Sequence, residues 1–261
     1  MNHLPIDTDG SPSDARRLLC ILAHPDDESL GFGGLLAHYA QAGVATYLLC
    51  ATRGERGWPA DPATYPGPTA LGELRTAELE AAATILGIHE TRFLDIMDGE
   101  LDQAEPAALI ESLVGHLRRV RPQVVATFDP TGIYGHPDHI AISQLTTAAT
   151  ARRGQPVLFD EAYQAPHQVS KLYYRAWCAA EAAIYQQVFG DLVMTIDGVE
   201  RRATGWPEWA FTTWLTPRPT GSRSNGPWPV TAHSYRRINT LPPYRRRNNA
   251  SYGVAKPSIT P

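Results

Sequence analysis

Two apolar runs, residues 17–23 (RLLCILA) and 122–128 (PQVVATF), have the length and near-unbroken hydrophobicity of strands buried on both faces. Nearly the same polar signal follows each: His24-Pro25-Asp26-Asp27 after the first, and His136-Pro137-Asp138-His139 shortly after the second. A helical pattern comes next in both places. Residues 29–42 carry Leu30, Leu35, Leu36 and Tyr39 at core-facing spacing, and residues 138–152 carry Ile142, Leu145 and Ala149. Strands buried on both faces require helices above and below them, which predicts an α/β fold: an open, mostly parallel sheet with helices on both faces. The intervening chain keeps the alternation, with a strand at 43–51, a Gly/Pro-rich loop at 53–68, a helix at 69–87, a short strand at 91–95 and a helix at 104–120. Beyond it, 171–177 reads as strand, 179–189 as helix and 192–196 as a further apolar stretch.

Turns that leave parallel strands line the crevice at the strands' carboxyl ends, so residues 115 positions apart (139 − 24) can converge there. Three imidazoles and several carboxylates brought together suit a divalent metal, and a catalytic zinc needs three protein ligands with one position left open. His24 and Asp27 are three residues apart, as are His136 and His139, so both members of each pair can face one site. Not all four need bind the metal. The remaining histidine would then serve proton transfer or oxyanion stabilisation. A single His-Pro-Asp is ordinarily a turn with an Asp cap, but two of them after two buried strands point to a shared site.

At 261 residues and 43% hydrophobic content the chain can bury one sizeable core. This predicts a single α/β domain over 1–215, followed by an irregular tail over 216–261 that is rich in Pro, Arg, Ser and Asn. A net charge of −4 speaks against a nucleic-acid partner, and the arginines at 236, 237, 245, 246 and 247 read as a solvated basic tail. The longest apolar runs are too short for a bilayer and the polar opening MNHLPIDTDGSPSD lacks a signal-peptide core, so a cytoplasmic protein without membrane attachment is expected. Cys20 and Cys50, inside predicted strands, read as small core residues rather than half of a disulfide framework. Gly31-Phe32-Gly33-Gly34 departs from the dinucleotide fingerprint at its third glycine, where Leu36 stands; these glycines instead let the first helix pack close to the turn.

The run AHPDDESLGFGG (23–34), joined to YGHPDHIA (134–141), resembles the LmbE/PIG-L family of zinc-dependent N-acetylglucosaminyl deacetylases and amidases, which includes the deacetylases of mycothiol and bacillithiol biosynthesis. The likeness covers roughly 17–177 and extends to TRGERG (52–57), LRTAELEAAATILGI (74–88) and FDPTGIYGHPDH (128–139). It implies a Rossmann-like fold and a metal, Zn²⁺ or alternatively Fe²⁺ or another divalent ion, held by His24, Asp27 and His139, with Asp26 as general base. It also implies that His136 stabilises or protonates the tetrahedral intermediate, that Tyr134 lends its hydroxyl to the oxyanion, and that Asp138 orients a neighbouring histidine. Arg75, Asp98 and Glu55 would contact the substrate, a small N-acetylated amino-sugar conjugate, in an enzyme that can form a homo-oligomer. Without the resemblance, Arg75 reads as a helix-face partner of Glu78, Asp98 and Glu55 as solvated turn residues, and Tyr134 as a packed loop aromatic.

The C-terminal part departs from the family, with only Thr231-Ala232-His233-Ser234 similar to its usual ending, and the tail is expected to supply no metal ligand. Competing readings are an amidase of a thiol-sugar conjugate, a 2-His-1-carboxylate Fe(II) oxygenase, and a non-catalytic sugar or nucleotide binder.

Overall fold

The computed structural model describes residues 15–152, 165–190, 193–196, 198–203 and 205–215. Five strands form one sheet: β1 (Arg17–Leu22), β2 (Ala45–Thr52), β3 (Glu90–Ile96), β4 (Val124–Phe128) and β5 (Lys171–Arg175). Their order is β3-β2-β1-β4-β5 and every pairing is parallel. The apolar run of β1 is buried from end to end, as a central strand covered on both sides requires. Truncating one of its leucines, such as Leu22→Ala, removes packing worth about 2–5 kcal/mol.

Between the strands lie α1 (Asp27–Leu30), α2 (Gly33–Gln41), α3 (Pro68–Leu86), α4 (Pro106–Val120), the short turn α5 (Gly132–Gly135) and α6 (Pro137–Ala151). The chain steps outward from β1 to β3, then crosses back to β4 on the other side of β1. Right-handed crossovers therefore place α2 and α3 on one face and α4 and α6 on the other. The contacts agree, α2 touching α3 and α4 touching α6. The direction of winding reverses between β1 and β4, whose residues Leu18 to Cys20 pair with Val124 to Ala126. Their carboxyl ends consequently diverge into a crevice, and both His-Pro-Asp turns open into it.

The expected single helix over 29–42 is two helices, broken at Gly31 and Phe32. Phe32 leaves the helical path to bury its ring edge-on against Phe128, 5.6 Å between centroids, and the glycines around it offer little helix propensity to resist. Leu30, expected in the core, is 46% exposed as a result. A Cβ at Gly33 would stand 3.4 Å from the Glu28 carbonyl oxygen, an ordinary contact, so the packing there does not demand a glycine. After β5 come α7 (Ala179–Phe189) and an antiparallel hairpin of β6 (Val193–Ile196) and β7 (Val199–Arg202), which rests on α5. The tail over 216–261, with His233 and the arginines at 236, 237, 245, 246 and 247, lies outside the described residues. Cys20, Cys50 and Cys178 are free and buried; burial pushes the Cys20 and Cys50 thiols up, out of reach of ordinary thiolate chemistry.

Candidate metal centre and active site

The turn after β1 is closed by its own side chains. Asp27 Oδ2 accepts the backbone N–H of His24 at 2.8 Å, which folds the carboxylate back beside the imidazole. Between them Asp26 adopts φ 116°, a conformation that is costly for a residue with a Cβ. Two contacts hold it there. The fully buried Glu28 accepts the Asp26 backbone N–H at 2.9 Å, and Ser29 in turn donates to Glu28 at 2.6 Å. On the side-chain end, Arg75 Nη2 donates to Asp26 Oδ2 at 2.8 Å and to the Pro25 carbonyl, while Nη1 donates to the Gly54 carbonyl at 3.1 Å.

The turn after β4 is built differently. Asp129 gathers the N–H groups of Thr131 and Ile133 at 2.7 and 3.1 Å, and Gly132 and Ile133 both take positive φ. Gly132 has no room for a side chain, since a Cβ there would lie 3.0 Å from the Cβ of His139. His136 then caps α6, its Nδ1 accepting the Asp138 N–H at 3.1 Å, with Pro137 at the first helical position where its missing N–H costs nothing. A neutral His136 consequently carries its proton on Nε2.

The two turns meet. His24 Nδ1 lies 3.2 Å from His139 Nε2, His139 Nε2 lies 3.4 Å from Asp27 Oδ1, and His24 Nδ1 lies 3.7 Å from Asp27 Oδ2. Ligands bound at 2.0–2.1 Å in a tetrahedron stand about 3.3 Å from one another, so this donor set fits a divalent cation. The other nitrogen of His24 faces Asp98 Oδ1 and Asp138 Oδ2, both at 3.1 Å, the carboxylate backing that fixes a ligand's tautomer. A second grouping, His24, Asp98 and His136, shares this imidazole. One neutral ring offers one lone pair, and using it there would leave the Nδ1 proton aimed at His139 and Asp27; the first grouping, buried in all three members, is the better nest. Burial works to lower the His24 pKa, but hydrogen bonds to Asp138 and Asp98 and the charges of Asp98 and Asp27 outweigh it and raise it well above 6.5. Burial pushes the Asp27 carboxyl up to about 8 against the pull of His24. His139 and His136 go the other way, their charged forms disfavoured first by burial and then by His24.

The family model PIG-L, described as GlcNAc-PI de-N-acetylase, matches residues 19–150, which contain both turns. The chain belongs to the PIG-L family. A 1D-myo-inositol 2-acetamido-2-deoxy-alpha-D-glucopyranoside deacetylase from Kineococcus radiotolerans is 37% identical to it over 184 residues, 60% of this chain and 51% of that protein. The N,N'-diacetylchitobiose deacetylase of Pyrococcus horikoshii has a similar structure (TM-score 0.50, 30% identity, 55% of this chain and 52% of that one). So does GalB, the 4-carboxy-2-hydroxymuconate hydratase of a Pseudomonas (TM-score 0.51, 26% identity, 61% and 65% covered). The chain spans about half the length of the first curated relatives it matches.

In this PIG-L family member the expected site residues fall into two groups. His24, Asp27, Tyr134, His136, Asp138 and His139 gather around one point, with Tyr134 edge-on to His139 at 5.0 Å, while Asp26 beside them turns its carboxylate to Arg75. The three residues expected to touch substrate, Arg75, Asp98 and Glu55, make contacts within the protein. Arg75 is buried on Asp26 and two carbonyls, because a cation inside a turn is stabilised by the carboxylate and carbonyl oxygens it can reach. Asp98 faces His24 and accepts the Arg56 N–H at 3.0 Å. Glu55 accepts the N–H groups of Arg53 and Asp98, both at 3.2 Å, and so ties the loop after β2 to the end of β3. Asp138, with no exposed surface, accepts the N–H groups of Gly99 and Leu101 besides backing His24. Two contributors escaped the sequence reading: Glu28, visible only as one more acid in DDES, and Phe128, whose ring stacks on His139 at 3.9 Å and 9°. Nothing in a strand-terminal Phe announces a stacking partner eleven residues on. Among the described residues no helix is long and apolar enough to cross a membrane.

Proposed function

We propose that this protein is a zinc-dependent N-deacetylase that hydrolyses the acyl amide of an N-acetylglucosamine-type conjugate, releasing a carboxylic acid and a free amine. The observation that carries the reading is the arrangement of the β1 turn: Asp27 joins His24 and His139 within 3.2–3.7 Å, while Asp26, the next residue, is turned aside and held by Arg75. The names of the relatives support the substrate class, and the donor set supports Zn²⁺ over a carbonyl- or carboxylate-preferring ion. Bound by His24, Asp27 and His139, zinc would supply Lewis acidity and lower the pKa of water to near 7.

The chain's own groups would do the rest. Asp26, anchored by Arg75 yet a quarter exposed, takes a proton from the attacking water. His136 presents its Nε2–H, and Tyr134 its hydroxyl, to the carbonyl oxygen as negative charge builds on it. The carbon–nitrogen bond breaks as the nitrogen accepts a proton from Asp26, so the proton removed from water leaves with the amine. Asp98 and Asp138 keep His24 oriented throughout. The α/β body up to residue 215 would carry all of this chemistry.

The likeness to GalB favours one second reading, addition of water to a carbon–carbon double bond by the same metal and base. Incubating the metal-loaded chain with a panel of N-acetylglucosamine conjugates, and separately with 4-carboxy-2-hydroxymuconate, separates the two. Free amine from the sugars supports deacetylation; loss of the conjugated absorbance with no amine released overturns it.

A further inference from the structure

Resting on that functional reading, we propose that Arg201 is a substrate-specificity residue that binds an oxyanion, a carboxylate or phosphate, carried on the part of the conjugate beyond the N-acyl sugar. Arg201 belongs to β7, the hairpin strand that packs on α5. The stem of its side chain lies along Gly135, with Cβ, Cγ and Cδ all 3.7–3.9 Å from where a Gly135 Cβ would stand. Gly135 directly precedes His136, and the Arg201 charge is felt at the His136 ring. The guanidinium thus stands at the rim of the crevice, on the β4 side of the metal donors.

Among the described residues its charge is unanswered. Arg201 Nε is buried without a hydrogen-bond partner, and among the described residues no carboxylate forms an ion pair with the side chain. The acids nearby are committed elsewhere: Asp98 and Asp138 to His24, Asp27 to His24 and His139, and Asp26 to Arg75. Arg202, the next residue along the strand, has an acidic neighbour in Glu200 at 3.7 Å, so the hairpin does not lack acids in general. A part-buried cation with an unused donor is costly to the free protein. The paired terminal Nη groups match two oxygens of a carboxylate or phosphate, so an acidic substituent at the crevice rim would supply the missing counter-charge. Neutral hydroxyls satisfy a guanidinium less well, since their hydrogen bonds to it lack the opposite charge.

The test uses the full metal-loaded chain and three glycosides alike except at the aglycone: methyl N-acetylglucosaminide, its carboxymethyl counterpart, and N-acetylglucosamine 1-phosphate. The expected result is a kcat/KM about 10-fold or more higher for the carboxymethyl glycoside or the 1-phosphate than for the methyl glycoside, the two acids separating carboxylate from phosphate recognition. Arg201→Ala should abolish that preference through KM, leaving kcat and the methyl glycoside within about twofold, and Arg201→Lys should retain part of it as a point charge. Equal kcat/KM on all three in the wild type, or an equal loss on all three in Arg201→Ala, overturns the proposal. A binding arm keeps it separate from the functional reading. Calorimetric titration of Asp26→Asn with the carboxymethyl glycoside and the 1-phosphate should show binding that a second substitution, Arg201→Ala, removes. Should no glycoside be deacetylated, the functional reading fails, and the titration still decides whether Arg201 holds the anion.

Discussion

The turns after β1 and β4 share the letters His-Pro-Asp and almost nothing of their backbones. After β1 the strained residue is Asp26 itself, at φ 116°, and the following helix lasts only from Asp27 to Leu30. After β4 the strain is displaced to Gly132 and Ile133, upstream of the motif, so that His136 can cap a regular helix of 15 residues. The first turn presents two neighbouring aspartates in different directions, one to the metal donors and one to Arg75. The second presents two histidines on one helical face, their rings stacked 5.1 Å apart. Left-handed backbone between adjacent residues is what allows Asp26 and Asp27 to hold different jobs, and a helical turn is what aligns His136 with His139.

If the comparison is right, the first turn contributes two donors of the metal nest and the second turn one, and the largest effect comes from breaking either contribution. His139→Ala and His24→Ala should each lose most bound zinc and essentially all activity, measured by metal analysis of the purified protein; full occupancy in both variants would dissolve the proposed ligand set. Next comes the residue that the strained turn sets apart. Asp26→Asn should keep its zinc yet fall about 10²–10⁴-fold in kcat, and loss of the metal instead would make Asp26 a ligand. The capping histidine has a double task, so His136→Ala should cost about 10²-fold or more in kcat as well as about 1 kcal/mol of stability from the lost cap, the latter read from urea unfolding. An unchanged unfolding midpoint would show that Nδ1 contributes nothing to α6.

The smallest effect tests whether buried histidines outside the turns behave as simple buried bases. Burial, and then Arg119 and Arg92, lower the His116 pKa from 6.5 to about 4. The folded protein therefore keeps His116 neutral where the unfolded chain would protonate it, so its share of stability is present above pH 6.5 and lost as pH falls toward 4. His116→Gln should flatten the stability profile across that window by about 1 kcal/mol, allowing for solvent screening. A profile parallel to that of the parent protein would place the acid sensitivity elsewhere.

Strand and helix order, the parallel sheet, and the meeting of two sites 115 residues apart were legible because buried strands and amphipathic helices leave periodic marks, and because parallel strands gather their carboxyl ends at one edge. The sequence by itself determined that His24, Asp26, Asp27, His136 and His139 would be neighbours. Tertiary structure alone decided which way each of them faces. Arg75 resembles a surface helix residue until Asp26 is bent back against it, Asp98 resembles a turn acid until β3 brings it under His24, and Arg201 carries no motif until a hairpin sets it beside Gly135. The physical reason is the same in all three. Periodicity records burial of apolar area, which is proportional to surface and blind to direction, whereas an ion pair or hydrogen bond depends on the angle and distance of a single group, and these exist only once distant segments have packed.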